Sequence, residues 1–218
     1  DPGDYTIKIK LGNTEQSKIV HVIDDPRVNM SADDRAKKRA ALNKLQPLLA
    51  QATLAANQIQ GLRTNVNNAI ETWKRPGAPQ VPDNIKKAAD DFLKKIDAAY
   101  VNWGTPPSLA SNISSAGPAL VQLATPLNRR AGELIQAIEG TSAAPTDYEM
   151  AQIDILAKRI PPAADEVSAL VNTDLPALNQ MMIDAKVPYI APPVGGGAGR
   201  GRRGGDDEDS DDPDREDP

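Results

Sequence analysis

The sequence predicts a mainly α-helical chain, an up-and-down bundle of about four long, proline-kinked helices preceded by a β-hairpin. Apolar residues recur at alternating steps of three and four along most of residues 31–190, as on one face of a helix. Clusters of Pro and Gly separate these stretches at short intervals. Aromatic residues make up 3% of the chain, so the core must consist of Leu, Ile, Val and Ala.

The amino-terminal segment is predicted to be a hairpin. Residues 5–11 alternate apolar and polar side chains, and residues 17–23 return as a second strand rich in β-branched residues. Gly12 and Asn13 can supply the left-handed positions of the turn. Two strands alone are marginally stable, and the Asp-Pro-Gly-Asp-Tyr run at residues 1–5 fits a tyrosine corner. We therefore expect the last two strands of an immunoglobulin-like sandwich; the alternative is a free-standing hairpin packed on the helices.

The first long helix is predicted over residues 31–74. Ser31 can cap it, and Asp34 lies where a carboxylate meets the helix dipole. Pro47 removes one backbone hydrogen bond and predicts a kink, and the Pro- and Gly-rich residues 75–79 end the helix. The expected apolar stripe consists of Leu42, Leu45, Leu49, Ala52, Ala56, Ile59, Leu62, Val66, Ile70 and Trp73.

The second and third helices are predicted over residues 83–103 and 108–139. Asp83 is the expected cap of the second helix. Pro118 and Pro126 predict irregular first turns in the third. The inward residues are expected to be Ile85, Ala89, Phe92, Ile96, Tyr100 and Trp103 in the second helix, and Leu109, Ile113, Leu120, Leu123, Leu127, Leu134 and Ile138 in the third.

The fourth helix carries the clearest local signal in the chain. Thr146 and Glu149 have the spacing of a capping box, in which each side chain bonds the backbone amide of the other residue. Prolines at 161–162 and at Pro176 are expected to interrupt the helix, and Val-Pro at 187–188 ends it. The expected stripe is Met150, Ile153, Ala157, Ile160, Ala164, Val167, Val171, Leu178, Met181 and Ala185.

These elements predict three regions along the chain. Residues 1–25 form the strands of a truncated sandwich, residues 26–190 the bundle, and residues 191–218 a disordered tail, rich first in Gly and Arg and then in acid. Short connections favour antiparallel neighbours. The first and fourth helices, each about 40 residues or ~60 Å long, are expected to form the long pair of the bundle.

Composition narrows the possible functions. The net charge is −5, but residues 194–218 hold four Arg and nine Asp or Glu, which leaves 21 basic and 21 acidic residues elsewhere. No single-sign field is therefore expected to attract nucleic acid or an anionic membrane. The absence of Cys excludes disulfides and thiolate chemistry. No apolar run approaches the ~20 residues of a membrane span, and the start without Met predicts a piece of a longer protein.

No constellation of residues predicts a reaction. His21, the only histidine, lies on a strand without partners at metal-ligand spacing. The adjacent carboxylates at 24–25, 33–34 and 90–91 point in different directions and are explained better by capping and solvation than by a glycosidase pair. We expect no catalytic residue, no cofactor-binding residue and no metal site.

The remaining candidates also favour structural roles. Trp73 and Trp103 are expected to pack near one end of the bundle, as core or rim residues. The Arg-Gly run at residues 200–205 is similar to segments that bind RNA weakly. The acidic block after it would neutralise that run, so a solubilising tail is favoured, and the block lacks a calcium-loop pattern.

The order of the parts resembles a known family. Pro-Gly-Asp-Tyr-Thr-Ile at residues 2–7, then Asp-Pro-Arg-Val at 25–28 and a long helix, resembles the carboxy-terminal region of secreted bacterial sortilin-like proteins, often labelled BNR-repeat or sialidase-like glycosyl hydrolases. Residues 143–146 and 173–179 are similar to two further landmarks, and the resemblance covers residues 1–190. It implies a large β-propeller first, then a small β-sandwich, with the helices last.

The resemblance implies no catalytic residue here, because the Ser-x-Asp-x-Gly-x-Thr-Trp repeats of the propeller are absent from this chain. We expect a non-catalytic, secreted or cell-surface module that packs on an upstream propeller and sandwich of the same polypeptide. A self-associating or partner-binding bundle is the alternative, and a glycan hydrolase is the least favoured.

Overall fold

The computed structural model describes residues 2–28, 30–78, 80–104 and 125–193. Residues 108–124 of the predicted third helix, with Pro118, and the tail at 194–218 lie outside the described residues. The prediction of a mainly helical chain with an amino-terminal hairpin is confirmed. The elements are β1 (Gly3–Leu11), β2 (Thr14–Val22), α1 (Ala32–Trp73), α2 (Asp83–Tyr100), α3 (Leu127–Glu139), α4 (Asp147–Ala169), a π-helical segment (Leu170–Asp174) and α5 (Leu175–Asp184).

The long helix α1 is the centre of the bundle. It packs against α2, α3 and α4, because its stripe must be buried along its full length. The amide of Asp34 donates to Ser31 Oγ over 3.0 Å, which confirms the predicted cap. Pro47 lies inside α1 without ending it. The buried residues of α1 are Ala41, Leu45, Ala52, Ala55, Ile59, Leu62 and Val66.

Helices α2 and α3 both run antiparallel to α1. At the carboxyl end of α1, Trp73 shares a cleft with Lys86 from the start of α2. Later in α2, the Oδ1 atom of Asp97 lies 2.6 Å from Nε of Arg63, which is nearer the middle of α1. At the other end of the bundle, Lys38 Nζ donates to the carbonyl of Glu139, the last residue of α3, over 3.0 Å.

In the described residues α2 and α3 point the same way, so these two helices do not alternate in direction as an up-and-down bundle predicts. The two helices have 18 and 13 residues, or about 27 and 20 Å, and neither alone can cover the ~63 Å of α1. They lie one after the other along α1 instead. The amide of Leu127 donates to the carbonyl of Asn102 over 3.0 Å where they meet.

The fourth rod completes the bundle and runs in the same direction as α1. Its helix α4 passes through Pro161 and Pro162 without a break, so the predicted interruption at that point is wrong. Burial of the neighbouring Ile160 and Ala164 offsets the lost hydrogen bonds. Just before Pro176, α4 gives way to the π-helical segment, and α5 begins directly after that segment at Leu175.

The π-helical segment shifts which residues point inward. The amide of Leu175 donates to the carbonyl of Leu170, five residues back, so one extra residue fits into the turn. As a result Met182 is buried, and Met181, predicted to face the core, is 39% exposed. The prediction was also wrong at Ala157, which is exposed.

The amino-terminal caps of α4 and α2 can be compared with the caps that the sequence predicts. The capping box is confirmed: the Thr146 amide donates to Glu149 Oε2 over 2.7 Å, and the Glu149 amide donates to Thr146 Oγ1 over 3.2 Å. Asp83 is not the cap of α2, because Pro82 occupies that position. The Asp83 carboxylate accepts from Lys86 Nζ over 3.0 Å instead.

The hairpin is a two-stranded antiparallel sheet, with pairing from Gly3 opposite Val22 to Leu11 opposite Thr14. Gly12 takes a φ of 58°, while Asn13 has no positive φ, so the turn uses one left-handed position where the sequence predicted two. Every residue of both strands is exposed. The alternative prediction, a hairpin packed on the helices, is therefore wrong for its strands.

Replacing Leu62 with Ala tests the central role of α1. Leu62 is completely buried, so Leu62→Ala is expected to lower the free energy of unfolding by ~2–5 kcal/mol. Leu54→Ala is the matched control on the same helix, because Leu54 is 41% exposed; its effect is expected to stay within ~0.5 kcal/mol. Urea denaturation followed by circular dichroism measures both. Equal losses would contradict the packing described here.

Replacing Thr146 with Ala tests the capping box. The Thr146→Ala variant leaves the Glu149 amide without its acceptor, so we expect a loss of ~1 kcal/mol in unfolding free energy. Thr146→Ser keeps the hydroxyl and is expected to retain most of the stability. The same denaturation measurement compares the two, and an unchanged midpoint for Thr146→Ala would refute the role of the cap.

Candidate functional site

The hairpin presents one apolar face. Residues directly opposite one another on antiparallel strands point to the same side of a sheet, so the pairing places Val20 beside Tyr5 and Val22 beside Gly3. Alternation along β1 adds every second residue to the same side. We define the apolar face as Tyr5, Ile7, Ile9, Leu11, Val20 and Val22.

The apolar face lies open to solvent. Its side chains range from 37% exposed at Val20 to 83% exposed at Leu11. The core of the bundle contrasts sharply, because Leu45 and Ile59 are completely buried. Lys18, Gln16 and Thr14 of β2 lie on the same side, opposite Ile7, Ile9 and Leu11. The apolar face is a candidate interaction surface.

The opposite side of the hairpin is mainly polar and pairs its own charges. His21 Nδ1 lies within hydrogen-bond distance of Asp4 Oδ1, and Lys8 Nζ lies 3.4 Å from Glu15 Oε1. Such exposed pairs contribute little to stability, yet they suit a surface that stays in water. The side chain of His21 is 72% exposed.

Two ion pairs hold the base of the hairpin. Asp24 Oδ2 lies 2.7 Å from Arg35 Nη2 in the first turn of α1. Next to it, Asp25 accepts two side-chain hydrogen bonds from Arg27 Nε and one from Nη2. These bonds from Arg27 lower the pKa of the Asp25 carboxyl below its ordinary value. The hairpin is thus joined to the bundle at its base, while its strands project from it.

A groove of about 560 Å³ lies where the hairpin meets α1. We call it the junction groove. Basic side chains and the carboxylate of Asp24 line one part of it and apolar side chains the other. Its lining includes Arg35, Lys38, Arg39, Val22, Met30 and Leu42. Because Val22 also belongs to the apolar face, the two surfaces are continuous.

Trp73 lines clefts at the far end of the bundle. They also contain Val81 and Tyr189, with Lys74 and Lys86 at the rim. Both lysines are engaged locally: Lys74 Nζ donates to the carboxylate of Glu71 over 2.8 Å, and Lys86 to that of Asp83. These clefts therefore offer an aromatic wall beside locally paired charges.

The two tryptophans do not share one end of the bundle, so that prediction is corrected. Trp73 lies beside the start of α2, and Trp103 follows the end of α2. Antiparallel neighbours bring the end of one helix to the start of the next, which separates the two residues by the length of α2. Trp103 is only 5% exposed, and its Nε1 atom has no hydrogen-bond partner.

Several of the adjacent carboxylates bind nearby basic side chains. Asp24 and Asp25 bind different arginines. Asp33 Oδ2 lies 2.7 Å from Lys37 Nζ, and Asp91 Oδ1 lies 2.9 Å from Lys94 Nζ. Within the described ranges, no three His, Asp or Glu side chains lie close enough to bind a metal ion.

The sequence pointed to only part of this site. The period-two alternation of β1 predicts an apolar face, but not that the face is uncovered. The junction groove had no sequence signal, because it joins residues from the hairpin, its connection and α1. In the described part of the chain, no helix combines the length and apolarity needed to cross a membrane.

Comparisons with known proteins add no relative to this picture. No family model, no curated protein and no solved structure matches the chain. The resemblance to sortilin-like proteins therefore depends on the short motifs in the sequence and remains a prediction. Function has to be argued from the surface of the molecule, and above all from the hairpin.

Proposed function

We propose that this chain is a non-catalytic structural and interaction module of a larger secreted, sortilin-like β-propeller protein, and that its hairpin docks on a β-sheet of the same polypeptide. The observation that carries the proposal is the exposed apolar face. Six apolar side chains project from one side of a two-stranded sheet. Such a sheet is marginally stable in water until a second layer covers it.

The size of the apolar face favours a partner on the same polypeptide. Each strand has nine residues, so the face measures about 30 Å by 10 Å, or ~300 Å². A stable complex between separate chains buries ~800 Å² on each partner. A covalent connection supplies a high effective concentration and makes a small interface sufficient.

The finer architecture belongs to the same proposal. The hairpin supplies the last two strands of an immunoglobulin-like sandwich, as the tyrosine-corner pattern at residues 1–5 suggests. Pro47 and the prolines of the fourth rod bend the helices to follow the surface of the upstream domains. Secretion and the propeller follow from the sortilin-like resemblance. A glycan hydrolase receives no support from the groups described above.

Self-association is the second candidate, because an uncovered apolar face can also pack on that of a second copy. The estimated area makes this interaction weak. Sedimentation velocity over a wide concentration range separates the two cases. A monomer at all concentrations supports docking within one polypeptide, whereas a tight dimer supports self-association.

Side-chain footprinting of the parent polypeptide tests the docking directly. Hydroxyl-radical labelling of the chain alone is expected to modify Ile9, which is 68% exposed, and Ile19, which is 58% exposed on the opposite side of the hairpin. In the parent polypeptide, Ile9 is expected to become protected while Ile19 stays reactive. Equal labelling of Ile9 in the two proteins would disprove the docking.

A pair of matched variants tests the apolar face in the chain itself. Ile9→Thr keeps a β-branched residue but removes apolar surface, so binding of a hydrophobic dye is expected to fall. Ile19→Thr, on the opposite side of the hairpin, is expected to change dye binding less. Hydrolysis of sialosides or other glycosides by the purified chain would refute the non-catalytic part of the proposal.

A further inference from the structure

The last described residues run back along α1 towards the hairpin. After α5 the chain reverses at Lys186, which takes a φ of 56°. Further on, Asn65 Nδ2 donates to the carbonyl of Ala191 over 2.9 Å. Pro193 then lies against Gly61, where a Cβ on the glycine would be 3.1 Å from that of Pro193. Each successive contact is nearer the start of α1.

The same face of α1 continues beyond this point to the start of the helix. From Gly61, steps of seven and four residues lead to Leu54, Ala50, Asn43 and Arg39, and such steps keep to one side of a helix. All four residues are exposed. The course set by residues 187–193 therefore leads towards the junction groove.

Charged residues are unevenly distributed along α1, with a basic segment followed by an uncharged one. Residues 45–62 contain no charged side chain. Residues 35–44 contain five basic side chains and no acidic one: Arg35, Lys37, Lys38, Arg39 and Lys44. Asp24 pairs with Arg35, Asp33 pairs with Lys37, and Lys38 Nζ donates to the carbonyls of Glu139 and Thr141. Five basic side chains against the neighbouring acids Asp24, Asp33 and Asp34 leave this basic cluster with a net positive charge.

In the sequence after Pro193 the acidic residues come last, separated from Pro193 by a segment without acids. Residues 194–205 contain no acid, whereas residues 206–217 contain nine acids and one arginine. The distance along α1 from Gly61 to Arg39 is about 33 Å. The 13 residues from Pro193 to Asp206 span up to about 43 Å when extended, so this connection is long enough for the acidic block to reach the basic cluster.

We propose that the acidic block at residues 206–217 binds the basic cluster of α1 and the junction groove within the same chain. Lys38 and Arg39 line the groove and carry charge opposite to that of the block, and the low charge of the intervening α1 surface lets the tail pass. Binding is electrostatic and therefore depends on salt. The tail occupies the groove next to the apolar face, beyond any role in solubility.

Paramagnetic relaxation tests this contact in the full chain. Because the chain has no cysteine, Ser210→Cys carries a single nitroxide label within the acidic block. Amide signals of residues 35–44 are expected to lose intensity selectively, and those around Lys87 at the far end of the bundle to keep it. The loss is expected to disappear at ~1 M salt, where the Debye length falls to about 3 Å.

Three variants and one mixing control make the outcome decisive. Arg39→Glu is expected to abolish the selective loss, whereas Lys87→Glu leaves it unchanged. Replacing Asp206, Asp207, Glu208 and Asp209 by their amides is expected to abolish the loss without altering the bundle. Absence of a selective loss in the labelled chain overturns the proposal. A loss seen only between a labelled chain and a second, isotope-enriched chain overturns it as well, because the contact is then between copies.

Discussion

The need to bury the stripe of α1 governs this structure. A helix of 42 residues with apolar side chains along its whole length cannot exist alone in water. Two further rods cover it: α2 followed by α3 on one side, and α4 with its continuation on another. Each buried Leu or Ile stabilises the fold by about 1.5–3 kcal/mol, which together outweighs the ~3 kcal/mol that a proline inside a helix costs.

The hairpin shows the opposite situation. Its strands carry an apolar face as clear as that of any helix, yet no described element covers it. Its base is held by the Asp24–Arg35 pair, and its polar face satisfies its own charges. A self-contained bundle joined to an uncovered sheet suits a module that attaches to other β-structure. The chemistry of the described residues gives no reason to assign it a reaction.

Charge adds a second level of organisation. The body of the protein is balanced overall, but five of its 21 basic residues lie within residues 35–44 near the start of α1, next to the hairpin. The acidic block lies at the other end of the sequence, and the described residues before it, 187–193, run back along α1 towards the basic cluster. A neutral body therefore still contains a local electrostatic site, which a net charge does not reveal.

The sequence by itself determined the local features. The Ser31 cap, the Thr146–Glu149 capping box and the stripe of α1 follow from spacing and side-chain chemistry within a few residues. Only the tertiary structure decided the direction of α3 and the burial of Met182 in place of Met181. It also brought residues of the hairpin and of α1 together in one groove. The direction of α3 depends on the lengths of the helices relative to α1. The burial of Met182 depends on the one extra residue in the π-helical turn. These outcomes depend on distances between segments far apart in the chain, which no local pattern records.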